Sequence, residues 1–127
     1  MMTSSGIGTR GADHEFPCPV CGYLVFDGPP GTFAICPVCR WEDDDTQLRW
    51  PALAGGANST SLIEAQREFG RTAVDGNLHY VLDPAWRPID SSRDDVRDDF
   101  QPGQQAEWPR DRTGLYYWRP TYWRRSG

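Results

Sequence analysis

Cysteine is the residue type in this chain best suited to metal chemistry, and all four cysteines fall in one short stretch. Cys18-Pro19-Val20-Cys21 is followed, after fourteen residues, by Cys36-Pro37-Val38-Cys39. Two residues between the members of a pair let both sulfurs face one ion at tetrahedral angles, while the intervening segment folds back to set the second pair opposite the first. This is the spacing of a structural zinc site with Cys18, Cys21, Cys36 and Cys39 as its ligands. The knuckles also have the form of rubredoxin loops, so iron can load the same sulfurs, especially on overexpression. Free thiols or disulfides are the alternative, but disulfides need export and Met1 to Gly11 has no apolar signal core. Four protein ligands close the tetrahedron, which leaves no place for water or substrate and argues against hydrolysis at this ion.

Other groups offer weaker chemistry. The run Glu42-Asp43-Asp44-Asp45 suits a second cation or an arginine-rich partner, with Asn58 as a further oxygen; it equally suits a solvated helix start. Gly55-Gly56-Ala57-Asn58 resembles an anion loop or an ordinary helix lead-in. Of the two histidines, His14 lies close to a ligand shell that four sulfurs already fill, and His79 has no companion nucleophile. An enzyme would therefore have to gather Asp43, Asp44, Asn58 and His79 into one pocket. The stretch Trp108 to Arg125 holds six aromatic residues and five arginines. Trp118, Arg119, Trp123, Arg124 and Arg125 are its candidate contact residues. Such a tail suits a protein interface, where Trp, Tyr and Arg dominate, or single-stranded nucleic acid, or it wraps the domain and covers its apolar surface.

The elements that must position these groups are short. Tyr23-Leu24-Val25-Phe26 and Thr32-Phe33-Ala34-Ile35 read as the strands of a hairpin turned by Asp27-Gly28-Pro29-Pro30-Gly31, with one cysteine pair at each end. Gly22 supplies a positive φ inside the first knuckle, and Arg40 stands at the matching place in the second. Trp41 is expected to pack on the ribbon, and the acidic run to open a short helix that Pro51 stops. Ser61 and Glu64 form a capping box for a helix over 61–69, with Leu62, Ala65 and Phe69 on one face and Gly70 ending it. Leu78 to Leu82 reads as a strand, Ser92 to Phe100 as a marginal helix and Leu115 to Trp118 as a strand. The expectation is a small α+β protein, a zinc ribbon with one packed helix and an extended aromatic C-terminal half. Its segments are a leader over 1–14, the metal-bearing domain over 15–83 and an Arg- and aromatic-rich segment over 84–127.

At 127 residues the chain is one domain by length, with low apolar content and plentiful Gly and Pro. A core that modest leaves much of the folding free energy to the ion. Net charge is −1 over 1–40, −8 over 41–107 and +4 over 108–127, with arginine as the only cation, as a GC-rich genome or a preference for bidentate donors gives. The acidic balance disfavours tight binding to bulk nucleic acid. No stretch approaches the roughly 18 apolar residues that span a membrane, so a cytoplasmic location is expected, where thiols stay reduced.

From Phe16 to Gly70 the chain resembles the cysteine-rich CPCC family of small bacterial proteins. The matching words are Cys18-Pro19-Val20-Cys21-Gly22-Tyr23, Pro30-Gly31, Ile35-Cys36-Pro37-Val38-Cys39, Trp41-Glu42-Asp43-Asp44, Gln47, Gly55-Gly56-Ala57-Asn58, Ser61-Leu62 and Glu64-Ala65. It departs from the pattern at Gln66 and Glu68, and nothing from Arg71 onward belongs to it. The resemblance implies a metal-binding fold without a defined activity, and an adaptor or immunity role near bacterial toxin systems. The working expectation is therefore a zinc-held module that binds another protein through the acidic middle and the tail, with a nucleic-acid-binding ribbon using Arg119, Arg124 and Arg125 as the rival.

Overall fold

The computed structural model describes residues 15–72, 80–96, 100 and 108–123. The leader over 1–14, His79, Arg124 and Arg125 lie outside these residues. Two antiparallel strands, β1 (Phe16–Pro17) and β2 (Leu24–Phe26), precede helix α1 (Asp45–Arg49), helix α2 (Leu62–Thr72) and a 3-10 helix at Arg112–Leu115.

Each cysteine pair makes its own turn. In the first knuckle the Cys18 N–H donates to Tyr23 O at 2.9 Å and the Gly22 N–H to Cys18 O at 2.7 Å. The second repeats this pattern, with Cys36 N–H to Trp41 O at 2.8 Å and Arg40 N–H to Cys36 O at 2.9 Å. The residue after each pair takes positive φ, 83° at Gly22 and 73° at Arg40. Arginine accepts there the left-handed conformation that glycine adopts freely.

This corrects the expected hairpin. Leu24–Phe26 pairs back across its own knuckle onto Phe16–Pro17, with an irregularity in the register between Phe16 and Pro17. Thr32 to Ile35 pairs forward instead, through Phe33 N–H to Asp43 O, Asp43 N–H to Ala34 O and the Ile35–Glu42 bridge. Each cysteine turn is fixed by its own pair of backbone hydrogen bonds, and the ladders continue outward from these turns. The result is two small hairpins, each tipped by two sulfurs.

A third segment joins the first hairpin. Leu24 N–H donates to Val81 O and Asp83 N–H to Gly22 O, and Tyr23 bridges Leu82. Of the strand expected over 78–82 this is the part within the described residues. Trp86 then closes over Gly22, where a Cβ would stand 2.7–2.9 Å from the indole ring. Gly22→Ala adds that clash to the cost of positive φ, so a loss of about 2–3 kcal/mol is expected in urea unfolding monitored by tryptophan fluorescence.

Helix α2 starts where the capping box places it: the Glu64 N–H donates to Ser61 Oγ and the Ser61 N–H to Glu64 Oε1, each at 3.1 Å. It runs through Gly70 to Thr72 rather than ending at Phe69. A Cβ at Gly70 would meet nothing within 4 Å, so this glycine is a weak point in an exposed turn and not a stop. Leu62 is fully buried, and Ala65 and Phe69 pack against the core from the same face.

The C-terminal residues form no strand among those described. Asp111 caps the 3-10 helix through the Thr113 N–H, and Leu115, Tyr116, Tyr117, Trp118 and Tyr122 are buried beside Cys18, Val25 and Trp41. Leu115 to Trp118 offers four apolar side chains in a row, which a strand with one wet face cannot bury together; a tight turn folded into the core can. Residues 91–93 form a turn on Asp90, whose carboxylate accepts the Ser92 N–H, in place of the start of the helix expected over 92–100. Asp94 is taken by Arg87 in a two-point ion pair at 2.7 and 2.8 Å. Residues 97–99 lie outside the described residues.

Candidate metal centre

The two knuckles bring four sulfurs together. All ligand atoms of Cys18, Cys21, Cys36 and Cys39 lie within 4.8 Å of one another, the group of His, Cys, Asp and Glu among the described residues that could hold a metal ion. Cys18 Sγ stands 3.5 Å from Cys39 Sγ and Cys21 Sγ 3.8 Å from Cys36 Sγ, both across the two hairpins. A tetrahedral ion about 2.3 Å from each sulfur sets the sulfurs about 3.8 Å apart, so the donor set fits one such ion. The Val38 and Cys39 N–H groups point at Cys36 Sγ, at 3.3 and 3.4 Å.

The electrostatics are those of a donor set that could hold a cation. Burial, and then the neighbouring sulfurs, push the Cys18 thiol well above its ordinary range. Cys36 is lowered by hydrogen bonds from Cys18, Cys21 and Cys39. One sulfur can ionise there at the expense of its neighbours; all four ionise together only around a positive ion.

In the acidic run, Asp43 and Asp44 spend their carboxylates on their own chain. Asp43 and Asp44 are 3% and 6% exposed, which corrects the expectation of a solvated helix start. Asp43 Oδ2 accepts from Thr32 Oγ1 at 2.7 Å and Thr32 N–H at 3.2 Å, tying down the lead-in to the second knuckle. Burial raises its pKa, against these hydrogen bonds. Asp44 caps α1 through the Thr46 and Gln47 N–H groups, and its other oxygen accepts the Ala57 N–H at 2.9 Å. The Gly-Gly-Ala-Asn loop thus does receive an anion, and that anion is Asp44.

Asn58 is equally committed. Its amide clasps the Glu42 backbone at both ends, accepting the N–H at 2.8 Å and donating to the carbonyl at 2.9 Å. It also donates to Gln47 Oε1 at 2.9 Å. Asp43, Asp44 and Asn58 therefore lie near one another, but their polar atoms are engaged by groups of their own chain, even though Asn58 borders the cleft beside Cys39. A carboxylate or amide used in this way holds a loop and has little left for a substrate.

The tail residues are turned inward. Trp118 Nε1 donates to Asp83 Oδ2 at 3.0 Å, and Arg119 pairs with the same oxygen at 3.1 Å. Trp123 faces Arg49, a guanidinium 1% exposed whose Cζ lies 4.0, 4.9 and 5.1 Å from the Trp50, Trp108 and Trp123 ring centroids. Three indoles packed on one arginine hold the C-terminal segment to α1. Sequence reasoning missed Arg49, Asp83 and Gln66 because each is a surface type by composition. Gln66 donates to Pro19 O and to Tyr117 Oη, each at 2.9 Å, and accepts the Ile89 N–H at 2.9 Å. Trp86 Nε1 also donates to Pro19 O, at 2.9 Å. The carbonyl inside the first knuckle is thus the point on which helix and C-terminal segment both hang.

Asp83 titrates below the ordinary carboxylate range: burial alone would raise it, but hydrogen bonds from Trp118 and the Ala85 N–H, with Arg119, outweigh that. Asp94 is lowered in the same way, by Arg87 against burial. A carboxylate with a depressed folded pKa contributes stability that is present above its unfolded pKa, about 3.9, and lost as pH falls through the folded value. Tryptophan emission is therefore expected to shift as the C-terminal segment loosens below about pH 4, and Asp83→Asn is expected to flatten that transition.

Comparison with known proteins places these observations. The family model described as Cysteine-rich CPCC matches residues 16–84, more than half of the 127-residue chain. The match runs to residue 84, which corrects the expectation that nothing from Arg71 onward belongs to the pattern, and it reaches the segment at 81–83 that pairs onto the first knuckle. No curated protein matches the chain.

Proposed function

This chain belongs to the cysteine-rich CPCC family, and on that premise we propose that its four sulfurs hold one structural zinc ion in a zinc ribbon and that the protein serves as a binding module for another protein. The observation that carries this is the closure of the sulfur set, four ligands within 4.8 Å of one another at two matched turns. A tetrahedral ion held by four protein ligands has no position left for chemistry, so its work is to cross-link. Bound zinc supplies the positive charge that lets all four thiols remain thiolates. The chain supplies the rest: the Val38 and Cys39 N–H groups steady Cys36 Sγ, and Asn58 clamps Glu42 beside the second knuckle. A thiolate centre of this kind suits a reducing cytoplasm, and an adaptor or immunity-type role fits a module whose described residues assemble no catalytic constellation.

The contact surface differs from the one the composition favours. With Trp118 and Arg119 committed internally, the large apolar side chains left open among the described residues are Phe33 and Ile35 on the lead-in to the second knuckle and Val81 and Leu82 on the segment beside the first. These take over the role expected of the tail. Among the described residues no helix is long and apolar enough to cross a membrane.

The test has two arms. Protein expressed in medium balanced in zinc and iron is expected to carry about one zinc per chain; iron in its place, or no metal, overturns the metal assignment. Pull-down from host extract, comparing the wild type with Ile35→Asp and Val81→Asp, is expected to show a protein partner lost from the variants while zinc content and melting are unchanged. A partner retained by both variants removes this surface. Nucleic acid that elutes at moderate salt replaces the protein-binding reading with the rival one.

A further inference from the structure

Three of the four sulfurs are sealed: Cys18 and Cys36 are 0% exposed and Cys21 is 3%. Cys39 is half-buried, and it lines an open cleft of about 220 Å³ between the second knuckle and α2. Arg40 borders this cleft from the knuckle, Ala65, Glu68 and Phe69 from α2, and Thr60 from the lead-in to that helix. Of the four cysteines, Cys39 is the one that borders this cleft. Across the hairpins, 3.5 Å from Cys39 Sγ, stands Cys18 Sγ.

Resting on the zinc reading above, we propose that Cys39 is an oxidation site of the metal centre: hydrogen peroxide reaches Cys39 through the cleft, and Cys18 then resolves the product as a disulfide that releases the ion. Susceptibility of a thiol follows thiolate character and access, and a sensor cysteine stands beside a second sulfur that resolves it. Metal ligation makes all four sulfurs thiolates, so access alone ranks them, and access singles out Cys39. In the first step the Cys39 thiolate attacks one peroxide oxygen. The O–O bond breaks, hydroxide leaves, and Cys39 becomes a sulfenic acid while the peroxide takes up two electrons. In the second step the Cys18 thiolate attacks the Cys39 sulfur, the S–O bond breaks, a second hydroxide leaves and the S–S bond forms. Cys21 and Cys36 then remain as ligands, and two thiolates on separate hairpins hold an ion far more weakly than four.

The consequence reaches beyond the sulfurs. Pro19 O lies between Cys18 and Cys21 and accepts both Gln66 Nε2 and Trp86 Nε1. When Cys18 moves toward Cys39 the first knuckle turns, and α2 and the C-terminal segment lose their common anchor. Oxidation at one accessible sulfur thus loosens the docking of residues 86–89 and Tyr117.

The experiment treats zinc-loaded protein with about one equivalent of hydrogen peroxide, which supplies the two electron vacancies one disulfide needs. Zinc release is followed with a chromogenic chelator, sulfenic acid is trapped with dimedone, and the cysteines are mapped by mass spectrometry. The expected result is dimedone first on Cys39, then a Cys18–Cys39 disulfide formed in step with the released zinc. Thr60→Phe narrows the cleft from an exposed position without touching a sulfur, and is expected to slow zinc release severalfold with zinc content and melting unchanged. First reaction at Cys18, Cys21 or Cys36, a Cys36–Cys39 disulfide, zinc retained after Cys39 is oxidised, or release from Thr60→Phe at the wild-type rate overturns the proposal while leaving the zinc assignment standing. A chain that takes up no zinc overturns both, and the metal content measured before peroxide is added tells the two failures apart.

Discussion

Stripping the ion with a strong chelator at neutral pH is expected to unfold the described region as a whole. The strands are two and three residues long and the longest helix eleven, so neither sheet nor helix is stable alone. What binds them is a core in which Cys18, Cys21 and Cys36 are themselves central, among Val20, Val25, Trp41 and Tyr116. Zinc-thiolate sites contribute about 10 kcal/mol or more of apparent binding free energy in small peptides, comparable to the about 5–15 kcal/mol net stability of a whole domain. With the ion gone, burial holds Cys18 as a neutral thiol and the two hairpins have only sulfur contacts between their tips. Far-UV circular dichroism and tryptophan emission should both collapse on chelation and return when zinc is restored. Cys18→Ser, at a fully buried cysteine, should behave like the chelated protein. Folding that survives chelation with its melting temperature intact would mean that the aromatic core suffices and the ion is incidental.

The centre was legible because its information is local. Cys-x2-Cys twice, Gly22 after the first pair and the Ser61–Glu64 capping box each specify a turn or a helix start within five residues, and all three appear where the spacing puts them. Asp44 was visible as a helix start for the same reason. Partner choice was not local. Nothing in Tyr23 to Ile35 says that Leu24–Phe26 turns back to Phe16 while Phe33 pairs with Asp43; the pairing follows the two cysteine turns, each held by its own backbone hydrogen bonds. The tail failed for a different reason. Interleaved rings and arginines have one composition whether they face a partner or their own domain, and only Asp83, a lone acid many residues upstream, shows that Trp118 and Arg119 turn inward. Polar residues in the core are the hardest to foresee, since Gln47 and Gln66 look like surface side chains until the carbonyls they satisfy are known.

Gln47→Leu is expected to destabilise the fold by about 3–5 kcal/mol, despite adding apolar volume to a fully buried position. Gln47 is 0% exposed. Its Nε2 donates to Leu53 O at 2.9 Å, Thr60 O at 3.0 Å and Asn58 O at 3.2 Å, and its Oε1 accepts both the Asn58 N–H and Asn58 Nδ2. One side chain therefore ties together three carbonyls and an N–H of the connection between α1 and α2, spanning Leu53 to Thr60. Leucine fills the space but leaves carbonyls and an N–H without partners, each costing about 1–3 kcal/mol where water cannot reach. Gln47→Glu keeps the shape and should be worse, because a carboxylate among three carbonyls has no proton to offer and carries a charge into the core. The damage should reach the sulfurs as well. Asn58, once released, no longer clamps Glu42, which closes the base of the second knuckle through the Ile35–Glu42 bridge, one residue beyond Trp41. Competition with a chromogenic chelator should therefore remove zinc from Gln47→Leu faster than from the wild type, whereas Gln47→Met differing from it in neither stability nor zinc release would show that the hydrogen bonds matter and methionine's flexibility does not rescue them; a Gln47→Leu protein as stable as the wild type would show that the loop finds water for its carbonyls and that this buried amide is dispensable.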